Sequence, residues 1–197
     1  MDRRKAIKRS GYITASAILA PAILSIFQSC QTENRLDWTP QFFTEPEANC
    51  ITSLLDTILP RTETPGALDV NVDVFMDKVI AKTYDSDNQK QMRQHISDFN
   101  TTCESEFGKP FSELTNDQKT VILNAEESSS GKFSGSVWGT AVGPQAKIGF
   151  YRSFKAMAIS AYFSSEKIGK SVLNYDPIPQ EYIACVPVSD IGNRWTF

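Results

Sequence analysis

One histidine, His95, is all this 197-residue chain holds, so no imidazole pair exists to build a metal site or a relay of proton carriers. Cysteines number four (Cys30, Cys50, Cys103, Cys185) and never fall as Cys-x-x-Cys, which removes the common zinc and thioredoxin-like patterns. Glycine-rich phosphate loops and dinucleotide turns are missing, and so is a Gly-x-Ser-x-Gly nucleophile elbow. The longest apolar run, Tyr12 to Phe27, is 16 residues and contains Pro21. That is short for a helix crossing about 30 Å of hydrocarbon. Cationic surplus is lacking too. Residues 1–29 hold five basic side chains and one acidic, leaving 15 basic against 22 acidic in the rest, a balance of −7. Such a body is a poor nucleic-acid binder, having no excess charge with which to release counterions from phosphates.

What is present at the N-terminus reads as a targeting segment over residues 1–29. Arg3-Arg4-Lys5-Ala6-Ile7-Lys8 resembles a twin-arginine export motif with Ala6 where Phe is usual, and Ser29-Cys30 after the apolar run resembles a lipobox. Arg3 and Arg4 are then the export determinants, and Cys30 is the lipidated first residue of the mature protein, on the periplasmic side of a bacterial membrane. An ordinary cleaved signal and an uncleaved anchor are the alternatives. A polar tether, residues 30–43, would follow, with Trp38 and Phe42-Phe43 docking back onto a body comprising residues 44–197.

The body reads as all-α: a single domain of five to six helices with long Pro/Gly-rich loops and an extended C-terminal tail. Thr44-Glu45-Pro46-Glu47 is a capping box, and Ile51, Leu54, Leu55, Ile58 and Leu59 form one stripe ended by Pro60. A second helix is predicted from about Val72 with Val74, Phe75, Val79 and Ile80 inward. A third, from Ser86 to Glu106, carries Met92, Ile96, Phe99, Cys103 and Phe107 and stops at Gly108. Thr115 to Gln118 opens a fourth, in which the apolar Val121, Ile122 and Ala125 follow. Residues 128–144, with glycines at 131, 135, 139 and 143, read as a mobile loop. A fifth helix is predicted from about Gln145 to Phe163, with Ile148, Tyr151, Phe154, Ala158, Ala161 and Tyr162 inward. A sixth opens at Ser164 or Ser165.

Chemistry is thin along this scaffold. His95, beside Ile96, reads as structural. Glu104/Glu106, Glu126/Glu127 and Asp85/Asp87 read as solvated faces or caps, and a glycosidase-like acid pair is not favoured. Phe150, Tyr151, Phe154, Tyr162 and Phe163 exceed the needs of one helix face. They are either core or, with Trp138, Tyr175 and Trp195, a contact surface for a larger partner.

Several segments carry a resemblance. Pro60-Arg61-Thr62-Glu63-Thr64-Pro65-Gly66-Ala67 is similar to the Pro-Arg-Thr-Asp-Thr-Pro-Gly-Ala loop of the gluconate 2-dehydrogenase subunit 3 family, with Glu63 for Asp. Tyr162-Phe163-Ser164-Ser165-Glu166-Lys167-Ile168-Gly169 resembles that family's aromatic-Ser-Glu region. Tyr175-Asp176-Pro177-Ile178-Pro179 and Cys185-Val186-Pro187 resemble its tail. Ala161, Gln180 and Ala184 depart from glycines often seen there, and residues 85–140 match least. The resemblance implies a non-catalytic small subunit with no cofactor of its own. Its partner would be a large FAD-dependent flavoprotein of the glucose-methanol-choline type, and haem c would sit on a cytochrome c third subunit where one is present. It also implies a membrane-attached sugar or polyol dehydrogenase, with the twin-arginine leader exporting the folded flavoprotein alongside. Pro60, Arg61, Thr62, Thr64, Pro65, Gly66, Tyr175, Pro177 and Cys185 become candidates for architecture or partner contact. A stand-alone periplasmic ligand-binding lipoprotein, and an enzyme using scattered carboxylates, are the competing readings.

Overall fold

Helices account for the regular structure of this chain in a computed structural model that describes residues 38–133, 136–137, 140–141, 144, 146–175, 178 and 185–195. They run α1 (Glu45–Ile58), α2 (Val72–Thr83), α3 (Ser86–Phe107), α4 (Asn116–Ser129), α5 (Phe150–Phe163), α6 (Glu166–Ser171) and α7 (Val188–Ile191). Two 3-10 turns, Leu68–Val70 and Phe111–Glu113, join α1 to α2 and α3 to α4. Two-residue strands, Ser136–Val137 and Thr140–Ala141, pair antiparallel between α4 and α5. The fold is all-α, with more helices than the sequence predicts, because α7 forms in a tail expected to be extended.

α1 is the hub. Its capping box forms, the Thr44 N–H donating to Glu47 Oε2 at 2.8 Å. The Leu59 N–H closes the last turn on the Leu55 carbonyl, and Pro60 then offers no donor. Residues Cys50 to Leu55 are all buried, so α1 is enclosed on every side rather than along one stripe. It packs against α2, α3 and both 3-10 turns. Each fully buried Leu or Ile there contributes about 2 kcal/mol. Thr52 and Ser53 are small enough to fit, and their hydroxyls are buried without partners.

α2 corrects the sequence reading. Its buried face is Val72, Asp73, Met76, Asp77 and Ile80, whereas Phe75 is 50% exposed and Val74 and Val79 are half-buried. Asp77, wholly buried, accepts the backbone N–H groups of Gln41 (2.7 Å), Phe42 (2.9 Å) and Phe43 (3.0 Å). Arg93 of α3 completes this clamp. It ion-pairs with Glu47 at 2.5 Å, donates to the Phe42 carbonyl, and lies 4.4 Å from the Phe42 ring centre. Phe42 and Phe43 are core residues, and Trp38 packs beside them, as expected for a segment that docks.

α3 ends where predicted, with Gly108 at φ 70° closing it in the left-handed conformation that glycine adopts without strain. α4 is capped by Thr115 and Gln118 as expected. Its buried residues are Lys119, Ile122 and Leu123, while Val121 and Ala125 are exposed. The Lys119 ammonium lies 5.5 Å from the Phe111 ring centre, and burial lowers its pKa. α5 begins five residues later than predicted, but Tyr151, Phe154, Ala158, Ala161 and Tyr162 all face inward. Gly131 and Gly149 explain the late start. The Gly131 N–H donates to the Lys147 carbonyl (3.1 Å), the Gly149 N–H to Ser130 Oγ (2.7 Å), and a Cβ on Gly131 would meet the Ala146 Cβ at 2.6 Å. The chain from 146 to 149 is therefore held against the end of α4 in non-helical form.

Cys50 and Cys103 are buried free thiols and Cys185 is an exposed one. Burial pushes both inner thiols up to about 12, with Cys103 adding to the rise at Cys50. Of these three thiols, only Cys185 is therefore expected to be alkylated in the native protein. Mass spectrometry of the labelled protein checks this, and fast labelling of Cys50 would contradict it.

Candidate functional site

Pro60 and Pro65 bracket a loop that closes on itself. The Ala67 N–H donates to the Leu59 carbonyl at 2.9 Å, and the Val72 N–H to the Ala67 carbonyl at 3.1 Å. Within the loop the Thr62 N–H donates to the Thr64 carbonyl at 3.1 Å. Gly66 sits where a Cβ would meet the Arg61 nitrogen at 2.7 Å and the Leu59 oxygen at 3.0 Å, so the two limbs approach as closely as backbone allows.

Asp69, in the 3-10 turn just beyond, ties the loop off. It accepts the Gly66 N–H at 2.8 Å and Arg61 Nε at 2.7 Å, and Arg61 Nη2 bonds its other oxygen. This bidentate fork is the geometry that arginine and carboxylate favour. The Arg61 hydrogen bond and then the Gly66 N–H hold the Asp69 carboxyl at about 2, against an ordinary 3.8. A carboxyl whose pKa is lower in the folded state stabilises that state above its unfolded value and loses the benefit as pH falls through its folded value. The loop clasp is therefore expected to be intact at pH 4 and to open only as pH approaches 2. NMR titration of the Asp69 carboxyl carbon checks this. Asp69 was missed from the sequence, since an Arg and an Asp eight residues apart across two prolines follow no helical or strand period.

The second motif comes to the first. Tyr162, buried near the end of α5, donates its phenolic O–H to the Pro65 carbonyl at 2.7 Å across 97 residues of chain. Ser165 starts α6 and returns its hydroxyl to the Tyr162 carbonyl at 2.7 Å. Lys167 of α6 lies near enough to Asp69 to help lower its pKa. The tail then folds over this end. The Asn174 N–H donates to the Arg194 carbonyl (2.9 Å), Asn193 Nδ2 to the Val172 carbonyl (2.6 Å), and the Arg194 guanidinium sits 5.0 Å from the Phe163 ring centre.

Between these parts lies an open groove of about 390 Å³, lined by Leu59, Pro60, Pro65, Tyr162, Phe163 and Leu173 among others. Its floor is apolar. Thr62, Thr64 and Asn193 supply polar groups around it. Arg61, Thr62, Glu63 and Thr64 are exposed, so the loop is rigid inside and presents its side chains outward.

Of the sequence candidates, Pro60, Arg61, Thr62, Thr64, Pro65 and Gly66 are thus gathered with Tyr162 and α6. Tyr175 is half-exposed and Cys185 exposed. Arg3, Arg4, Cys30 and Pro177 lie outside the described residues, as does Trp138. On α5, Phe150 packs inward, 5.8 Å from Phe99 and 5.7 Å from Phe154, ring centre to ring centre, whereas Tyr162 and Phe163 line the groove. His95 joins that cluster 5.8 Å from Phe150. Glu127 is no solvated acid, since it bridges Arg152 (2.9 Å) and Lys155 (3.0 Å) and so ties α4 to α5. Among the described residues no group of His, Cys, Asp or Glu is placed to hold a metal ion, and no helix is long and apolar enough to cross a membrane.

A family described as gluconate 2-dehydrogenase subunit 3 matches residues 45–179. That span takes in the 60–67 loop, the α5–α6 motif and the Tyr175–Pro179 motif. The leader and the Cys185-Val186-Pro187 segment fall outside it. No curated protein matches, and no solved structure does.

Proposed function

The chain belongs to the gluconate 2-dehydrogenase subunit 3 family, which makes it a subunit of a gluconate 2-dehydrogenase-like complex with a larger dehydrogenase partner, and from that premise we propose that its own part is non-catalytic. It carries the export signal at Arg3-Arg4, the lipid anchor at Cys30, and the face that docks and stabilises a flavoprotein oxidising a sugar or polyol. The observation that carries this reading is the meeting of two distant motifs at the Tyr162–Pro65 hydrogen bond. Together they build a stiff apolar groove with an outward polar loop, the anatomy of a protein-docking surface. FAD belongs on the partner. The described part of this chain is helical, without the parallel sheet and glycine-rich turn that cradle a dinucleotide.

Export and anchoring follow the same logic. A flavoprotein that takes up FAD in the cytoplasm must cross the membrane folded, and a bound companion with a twin-arginine leader supplies the address. A stand-alone ligand-binding lipoprotein is less well supported, because the grooves described are open to solvent rather than enclosed.

The test is purification in mild detergent of the native complex through a tag on this chain, read by flavin absorbance. The expected result is a yellow complex in which this chain alone oxidises nothing. Arg3→Lys with Arg4→Lys should strand both proteins in the cytoplasm, and Cys30→Ser should release the exported pair from the membrane. Substrate oxidation by the isolated chain, or export of the flavoprotein without it, would defeat the proposal.

A further inference from the structure

Trp38, Val70, Val74, Phe75 and Lys78, with Asn71, line a second open groove, of about 510 Å³, at the place where the described chain begins. Phe75 is half-exposed on α2 and borders this groove together with the half-buried Val74. Lys78 and Lys82 are exposed and follow it at i+3 and i+7, so all three share one stripe of α2. The stripe lies off the buried face of α2, formed by Val72, Asp73, Met76, Asp77 and Ile80, and the helix packs on α1 and α5. A surface that fits this stripe accepts an aromatic ring and two flanking ammonium groups at once.

We propose that this face rests on the anionic surface of the lipid bilayer. The inference builds on the lipid anchor at Cys30. Eight Cα steps separate Cys30 from Trp38, a reach of at most roughly 28 Å. The backbone is then clamped at 41–43 by Asp77, a residue of the same helix that carries Phe75. A short tether ending in a fixed point beside the patch keeps the patch near the headgroups. Phe75 enters the interface beside Trp38, which lines the groove, and Lys78 and Lys82 lay their stems along the apolar surface with ammonium groups on lipid phosphates. The partner-docking groove at the 60–67 loop stays free for the flavoprotein, which is thereby held at a set orientation to the membrane.

The experiment uses the mature, lipid-modified full chain with Cys185→Ser, bound to vesicles of phosphatidylethanolamine and phosphatidylglycerol. A nitroxide is placed at Phe75→Cys or, for comparison, at exposed Val121→Cys on α4. Collision rates with oxygen, which partitions into lipid, and with a water-soluble nickel chelate are then measured. The expected oxygen-to-nickel ratio is several-fold higher at 75 than at 121, and Lys78→Glu with Lys82→Glu should lower it toward the value at 121. Equal ratios at both positions on protein that floats with the vesicles would overturn the membrane face while leaving the anchor intact. Protection at 75 that arises only on adding the flavoprotein would overturn it in favour of a protein partner. Failure to float would overturn the anchor and this proposal together.

Discussion

Replacing Asp77 by alanine is expected to destabilise the protein by about 4 kcal/mol, roughly 8–16 °C in melting temperature for a domain of this size. The carboxylate is fully buried and accepts three successive backbone N–H groups, those of Gln41, Phe42 and Phe43. Alanine would leave those donors facing apolar side chains, each costing about 1–3 kcal/mol with partial relaxation. Phe42 and Phe43 would then loosen from the core. Asp77→Asn should be milder, about half the loss. One amide oxygen can still serve Phe42 and Phe43, while the amide NH₂ would oppose the Gln41 N–H. Urea unfolding followed by circular dichroism separates the two variants. A change under 1 kcal/mol for Asp77→Ala would show that the clamp is not a stabilising element.

The second large effect is on assembly. Gly66→Ala is expected to lower the amount of the larger dehydrogenase subunit recovered with this chain by tenfold or more while leaving its helix content unchanged. The added Cβ would come within 2.7 Å of the Arg61 nitrogen and 3.0 Å of both the Leu59 oxygen and the Pro60 carbonyl carbon. All three are backbone atoms that cannot rotate aside. The loop must therefore open, moving the Pro65 carbonyl from the Tyr162 hydroxyl and the Gly66 N–H from Asp69. Strain of this kind costs about 1–3 kcal/mol, which a domain of this size can tolerate. The docking face would nevertheless lose its shape. Tyr162→Phe offers the graded control: it removes one hydrogen bond worth about 1 kcal/mol without adding an atom, and recovery should fall only several-fold. Full recovery with Gly66→Ala would separate this loop from partner binding.

Much of the helical scaffold is readable from local chemistry. The capping boxes at Thr44 and Thr115, the stop at Gly108 and the inward set Tyr151, Phe154, Ala158, Ala161 and Tyr162 are each signalled by residues within a few positions of one another. Misreadings arise where charge is buried. On α2 the inner face includes Asp73 and Asp77, so a search for apolar spacing turns the helix toward Val74 and Phe75. On α4 the inner face likewise includes a charge, Lys119, while the apolar Val121 and Ala125 are exposed. Glu127 looked solvated because its partners, Arg152 and Lys155, belong to another helix. The loop at 60–67 was visible as a motif. Its clasp on Asp69 and its bond to Tyr162 depend on contacts that no local period encodes.

The clamp around Gln41–Phe43 also decides what a pull on the N-terminal segment would do. Tension arriving along the chain meets Asp77 on α2 and Arg93 on α3 before it reaches the first turn of α1. The load is shared sideways between two helices and does not peel α1 end-on from the middle of the molecule. Under such a load the body can thus yield at a small clasp, and re-form it, without its central helix unwinding.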